Sequence, residues 1–163
     1  MTIPGRGTWL LDAAFRARWA ASNLSTIFRG FWPTVETRLP VLFDGYAEPS
    51  PTGPYAVLMS APYGKLVNMT GLSSDTENQL QSRLISIRIH ARTGGGRTGK
   101  SIAAELATAV AEVFDAKADR PNPSPDRLVT IQRVDDLIMR EGDDEWSITL
   151  QWVCVVDAVY AAQ

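Results

Sequence analysis

The chain has 163 residues, 45% apolar and 21% charged, with a formal net charge of −2 and a pI near 5.4. That length fits one domain, residues 1–163, able to bury its own core, and the slight acidity argues against a free-standing nucleic-acid binder, which carries a basic surplus. A single cysteine, Cys154, excludes an internal disulfide and a multi-cysteine metal site, and a single histidine, His90, excludes a His-rich one.

No apolar run approaches the roughly 18–20 residues needed to span a bilayer. Asp12, Arg16 and Arg18 interrupt the first apolar pattern, as the core of a signal peptide would not allow. The expectation is a protein kept in the cytoplasm, with no membrane partner and Cys154 reduced. Trp9, Leu10, Ala13, Ala14, Ala17 and Ala20 or Ala21 recur at helical spacing and predict a helix from Thr8, its N-cap, to Ser22, with Phe28 as the furthest extent. "PVLFDG" and "YAVLMS" are short apolar runs between turn signals and read as strands; "GKLVNM" reads as a further short one, and "TGLSSDTEN" as a polar connection.

"QSRLISIRIHA" alternates, with Ile85, Ile87 and Ile89 on one face and Ser86, Arg88 and His90 on a wetter one. After a glycine-rich loop, Ile102, Ala103, Leu106, Val110, Val113 and Phe114 line one side of a helix from about Gly99 to Asp115. "DRPNPSPD" is a proline-stiffened loop. "RLVTIQRVDDLIMR" and "EWSITLQWVCVVDAVY" then flank the acidic turn "EGDD" as a hairpin. In its last strand Trp146, Ile148, Leu150, Trp152, Cys154 and Val156 share one face, and Val153 and Val155 make the second face apolar near its end. The sum is an α+β fold: a mainly antiparallel sheet, an N-terminal helix and a second long helix packed on one side, and a C-terminal β-hairpin.

The segment Gly94-x-x-x-x-Gly99-Lys100-Ser101 is a full match to the phosphate-cradling P-loop pattern, in which backbone N–H groups wrap phosphates, a lysine neutralises them and a hydroxyl holds magnesium. Three features oppose that reading. A P-loop strand is buried on both faces, whereas Arg88 and His90 mark a polar one. The P-loop fold needs several parallel strands joined by crossover helices, and no second crossover helix follows Phe114. The strand ending in Asp157, which would supply a magnesium-holding acid, alternates as an antiparallel strand does.

No other constellation points to catalysis, so the sequence predicts no catalytic residue, no metal and no cofactor. His90 reads as a surface or interface residue and Cys154 as an inert core thiol. Glu141, Asp143, Asp144 and Glu145 read as a solvated turn or a charged contact rather than a cation site. Charge is segregated: Arg83, Arg88, Arg92, Arg97 and Lys100 run without an acid among them, while residues 112–145 hold twice as many acids as bases. A basic edge and an acidic edge allow head-to-tail association, which makes a ring where the rotation closes.

The order of elements resembles the tail-terminator, or tail-completion, proteins of long-tailed bacteriophages. "RLPVLFDGYAEPSPTGPYAVLMS" is similar to that family's proline-bounded entry into the first strands. "LISIRIHARTGGGRTGKSIAAELATAVAEVF" is similar to its strand, glycine-containing loop and helix ending in an aromatic residue, and "EWSITLQWVCVV" to its closing strand. The resemblance implies an α+β virion protein without catalytic activity, assembled in the host cytoplasm. Its hexameric ring would cap the tail tube at the head-tail junction, end polymerisation and offer the head-tail joining surface. The implied partners are copies of itself, the tail tube protein and a head-tail connector protein, with non-specific contact to DNA passing through the ring. Expected contact residues are Arg88, Arg92, Arg97 and Lys100 on one side, Asp143, Asp144 and Glu145 on the other, and Val153 and Val155 as an apolar patch. The loop from Gly94 to Lys100 departs from the family in its density of Gly, Arg and Lys and is expected to project as a basic arm. A head-side connector or neck ring protein is the neighbouring alternative, and a small P-loop-like NTP-binding protein using Gly94–Ser101 the alternative from another class.

Overall fold

In a computed structural model the described residues are 6–32, 39–44, 51–66, 80–115 and 129–157. They form α1 (Arg6–Ala21), α2 (Leu24–Arg29), β1 (Leu42–Asp44), β2 (Tyr55–Leu66), β3 (Leu80–Arg92), α3 (Gly99–Asp115), β4 (Val129–Arg140) and β5 (Glu145–Asp157). The five strands make one sheet in the order β1-β2-β3-β5-β4. Only β1 and β2 pair in parallel; the other three pairs are antiparallel. The α+β class with a mainly antiparallel sheet is what the pattern predicted. Because β5 inserts between β3 and β4, those two run parallel with α3 as the connection between them, a split β-α-β arrangement.

The alternation of β3 decides the layers. Ile85, Ile87 and Ile89 are fully buried, and the register sets them opposite Trp152, Leu150 and Ile148 of β5. Ile102, Ala103, Leu106, Ala107, Val110 and Phe114 of α3 cover that face. Phe15 of α1 stacks on Phe114 at 5.2 Å and lies 5.6 Å from Trp152, so three rings from three elements meet at the centre. Their burial contributes several kcal/mol each before entropy costs, on the order of 1.5–3 kcal/mol per large side chain from area alone. The Trp152 indole donates to the Asp115 carboxylate at 3.0 Å, which satisfies its one polar atom at the end of α3.

Three local expectations change. The buried stripe of α1 is Leu11, Phe15 and Trp19, at i, i+4 and i+8, while Ala13, Ala17, Ala20 and Ala21 face solvent. The rings remove far more apolar surface from water than the alanines could, so they set the rotation of the helix. The helix begins before Thr8 and stops at Ala21; the Ser22 hydroxyl accepts from the Leu24 N–H, and the separate short helix α2 starts there. "GKL" is no separate strand, because β2 runs on to Leu66 through a register shift between Pro62 and Gly64, the place where proline's missing donor is tolerated. β3 is the middle strand of the sheet. "TGLSSDTEN", "DRPNPSPD" and the side chains of Val155 and Val156 lie outside the described residues.

Replacing Phe15 by Ala is expected to cost about 3–5 kcal/mol, whereas Ala17→Lys on the same helix stays within about 0.5 kcal/mol. Urea unfolding followed by tryptophan fluorescence reads both, and equal effects would reject this helix rotation.

Candidate functional site at the charged end of the sheet

The basic and acidic blocks of the sequence meet at one end of the sheet. Antiparallel pairing sets Arg92, the last residue of β3, opposite Glu145, the first of β5. The turn after β3 therefore lies beside the hairpin turn 141–144, and the Thr93 N–H donates to the Asp144 carbonyl at 2.7 Å. One carboxylate lies beside two basic side chains: Glu145 is 3.6 Å from the Arg92 Nε through Oε2 and 3.6 Å from the His90 Nδ1 through Oε1. The ends of the two charge blocks are thus neighbours joined through Arg92 and Glu145, not opposite edges; an edge-to-edge match that used these two residues would first have to break this contact.

The glycine segment is a closed turn. Gly94 and Arg97 exchange both backbone hydrogen bonds, at 3.0 and 3.1 Å, and Gly95 and Gly96 between them have φ of 59° and 80°. Two successive positive φ values give a I′-type hairpin turn, which only glycine adopts without strain. Thr98 caps α3 by accepting from the Ser101 N–H at 3.2 Å, and the Thr93 hydroxyl accepts from the Gly99 N–H at 2.9 Å. The N–H groups of Gly94, Arg97, Gly99 and Ser101 are thereby committed within the segment. Gly99 is needed for closeness instead: a Cβ there would sit 2.7 Å from the Ala91 carbonyl and 3.0 Å from that of Asp144.

The side chains of the turn are also tied back. Arg97 pairs with Glu105, donates to the Ser101 hydroxyl at 3.0 Å and lies over the Phe31 ring at 5.7 Å. Lys100 places its Nζ 5.2 Å from the centre of the Trp146 ring, a cation–π contact. This is a braced corner rather than a projecting arm. Beside it, a cleft of about 540 Å³ opens between the end of α2 and the turn, lined by Phe31, Trp32, Arg92, Gly94 and Arg97. Its aromatic planes and guanidinium groups suit contact with carboxylates or carbonyls of another chain.

The second face of the sheet carries no helix among the described residues, yet it is drier than its alternation predicts. Ser86, Ser147 and Thr149 are buried there. Each hydroxyl near the charged end finds a charged partner: Ser147 donates to Glu141 at 2.7 Å, and Thr149 accepts from the Arg88 Nε at 3.3 Å. His90 stacks on Tyr55, centroids 4.8 Å apart. Burial lowers its pKa from the usual 6.5, against the opposing pull of Glu145 and Glu141 and with some help from Arg88.

Of the other expected contact residues, Asp143 and Asp144 are exposed in the hairpin turn. Val153 is half-buried on the helix-free face, eight residues along β5 and so roughly 27 Å from the charged corner. Val155 is outside the described side chains. Cys154 is fully buried, and burial pushes its pKa up to about 12, which keeps the thiol protonated and unreactive. Among the described residues no group of three or more His, Cys, Asp or Glu is placed to hold a metal ion.

The sequence reading passed over Phe31 and Trp32, whose place beside the glycine turn has no local signal. It also passed over Leu137, Ile138 and Met139, which are 48%, 52% and 40% exposed on β4. For those the signal existed: three consecutive apolar residues in a strand cannot all face one core.

Gly99→Ala is expected to lower stability by about 1–3 kcal/mol through the backbone clash, and Gly94→Ala, with open space around it, to change it by less than about 0.5 kcal/mol. For His90, a lowered folded pKa means that the unfolded chain binds the proton more tightly. Stability therefore falls as pH drops below 6.5 towards the lower folded value. His90→Phe keeps a ring against Tyr55 and removes the titration, so its loss of stability between pH 7.5 and pH 5.5 should be smaller than the parent's in thermal unfolding; equal slopes would contradict this.

No family model matches the chain, and no curated protein matches it.

Proposed function

We propose that this chain is a structural protein of a bacteriophage virion that forms a ring on the end of the tail tube, stops its polymerisation and presents a joining surface to the head. The reading makes the protein a contact device and not an enzyme. A tube end exposes surfaces meant for the next tube subunit; a ring that fits them and shows a different far face ends growth.

The observation that carries the reading is the braced corner where β3, the glycine turn, α3 and the β4–β5 turn converge. Arg92, Arg97, Glu105 and Glu145 stand there in a fixed, solvent-edged array of ion pairs beside Phe31 and Trp32. Such pairs are worth little inside one exposed surface, so exchanging a partner for one on a neighbouring copy costs little. The same partners would then be worth more once water is excluded. The strand–turn–helix order around the corner belongs to the resemblance to tail-terminator proteins, which runs over nearly the whole chain. In the ring, neighbouring copies and the tail tube protein would take up this corner. A head-tail connector protein would meet the far face, and DNA would pass without base-specific contact.

Native mass spectrometry with negative-stain imaging, alone and after addition of tail tubes, tests this. Six-fold rings, or rings nucleated on tube ends that then stop elongating, are the expected result. Tubes that keep growing in the presence of a persistently monomeric protein would reject it, and binding to portal rings instead of tubes would move the protein to the head side. The double variant Arg92→Glu/Arg97→Glu is expected to weaken ring formation at least tenfold. Lys100→Ala is expected to assemble normally, with no nucleotide affinity in the parent to lose.

A further inference from the structure

The edge strand β4 ends in the sequence Asp136-Leu137-Ile138-Met139-Arg140, and its outer side pairs with no described strand. Leu137, Ile138 and Met139 are the exposed large hydrophobic residues of the described chain. Ile138 shares the helix-covered face with Ile148, and Leu137 and Met139 share the opposite face with Thr149 and Ser147. The helix layer stops short of this edge: a cleft of about 490 Å³ separates α3 from β4, with Ala107 and Ala111 on one wall and Ile138 on the other. An uncovered apolar edge of this kind is a template for another strand unless something blocks it. The register shift between Val134 and Leu137 blocks the N-terminal half of the strand, while Leu137 to Arg140 keep a regular pairing with β5.

We propose that this edge pairs antiparallel with the same edge of a second copy of the chain, in a single register centred on Ile138. Two copies related by a two-fold axis perpendicular to the sheet keep their helices on one side, so residues that meet must lie on the same face and their numbers must add to an even sum. Centring on Leu137 would oppose Asp136 to Ile138, a charge against an apolar side chain. Centring on Met139 would oppose Ile138 to Arg140 and Leu137 to Glu141. Centring on Ile138 sets Ile138 against itself, Leu137 against Met139 twice, and Asp136 against Arg140 twice. In that register alone every apolar residue of the segment meets an apolar one and each charge meets its opposite.

Beyond this segment the register shift after Val134 breaks the alternation, so the pairing ends there. Two edges of about five residues cover less than the roughly 1,200–2,000 Å² of a stable interface, and the result is a weak dimer that forms as concentration rises. The contact is isologous and closed, distinct from the head-to-tail contacts of a ring, and the inference does not rest on the tail reading.

Sedimentation equilibrium of the full chain over a range of concentrations, with charge swaps at the edge, tests the register. The parent is expected to dimerise reversibly. Asp136→Lys alone and Arg140→Glu alone each set like charges face to face twice and should weaken the dimer roughly tenfold. The double variant Asp136→Lys/Arg140→Glu restores both pairs and should recover it, which shows at the same time that the single variants had not merely misfolded. A parent that stays monomeric, or single and double variants that associate alike, would overturn the proposal. Rings unaffected by any of these swaps, with no dimer beneath them, would overturn it while leaving the tail reading standing; a dimer that obeys the swaps but never forms rings would do the reverse.

Discussion

The structure depends on the antiparallel register between β3 and β5, held from Leu80 opposite Asp157 to Arg92 opposite Glu145. Side chains alternate along a strand, so a slip of one residue would turn Ile85, Ile87 and Ile89 away from α3 and bring Ser86, Arg88 and His90 beneath it. Burying a guanidinium and an imidazole against Leu106 and Val110 would cost several kcal/mol, and the register is therefore fixed by what it keeps out of the core. The same pairing sets Trp152 beneath Phe15 and Phe114, and it alone brings the β4–β5 turn to the end of β3. Core and charged corner are two consequences of one alignment.

That alignment also explains why charge blocks along a chain are poor guides to charged surfaces in space. Arg92 and Glu145 are far apart in sequence, yet an antiparallel pair makes them direct neighbours. The glycines act in the same direction. A flexible loop would carry Arg97 and Lys100 outward, but Gly95 and Gly96 close a turn and deliver Arg97 to Glu105 and Lys100 to the face of Trp146. The P-loop pattern shares its residue types with this device, because a tight turn leading into a capped helix also wants glycine, a short cap and a hydroxyl. The patterns differ in where the N–H groups point, and spacing alone does not encode that.

The elements legible in the sequence are those whose pattern is set by one strong gradient of burial: the isoleucines of β3, the stripe of α3, and the Trp146 to Cys154 face of β5. Where two patterns compete, the sequence is ambiguous. In α1 a stripe of alanines and a stripe of Leu11, Phe15 and Trp19 both fit a helix, and only a partner such as Phe114 decides between them. In β2, Pro62 reads as a break, because the register shift that accommodates it is a property of the pair and not of the strand. At the charged corner the participants were legible as residue types, but their mutual pairing was not, since topology and not local sequence sets the neighbours.

The two proposed contact surfaces differ in kind, and that difference bears on how far association would run. The corner is polar, its charges already paired, so it offers a partner specificity at little cost in exposed apolar area. The β4 edge exposes three apolar side chains and a backbone that no described strand pairs, a combination that in an open-ended arrangement would add strand after strand. A contact that sets Ile138 against Ile138 consumes both edges at once and leaves nothing on that side to continue. The register shift after Val134 on one flank and the acidic turn from Glu141 on the other deny the segment any longer pairing. Self-complementarity over five residues, bounded by charge, turns an aggregation-prone edge into one that stops at two copies.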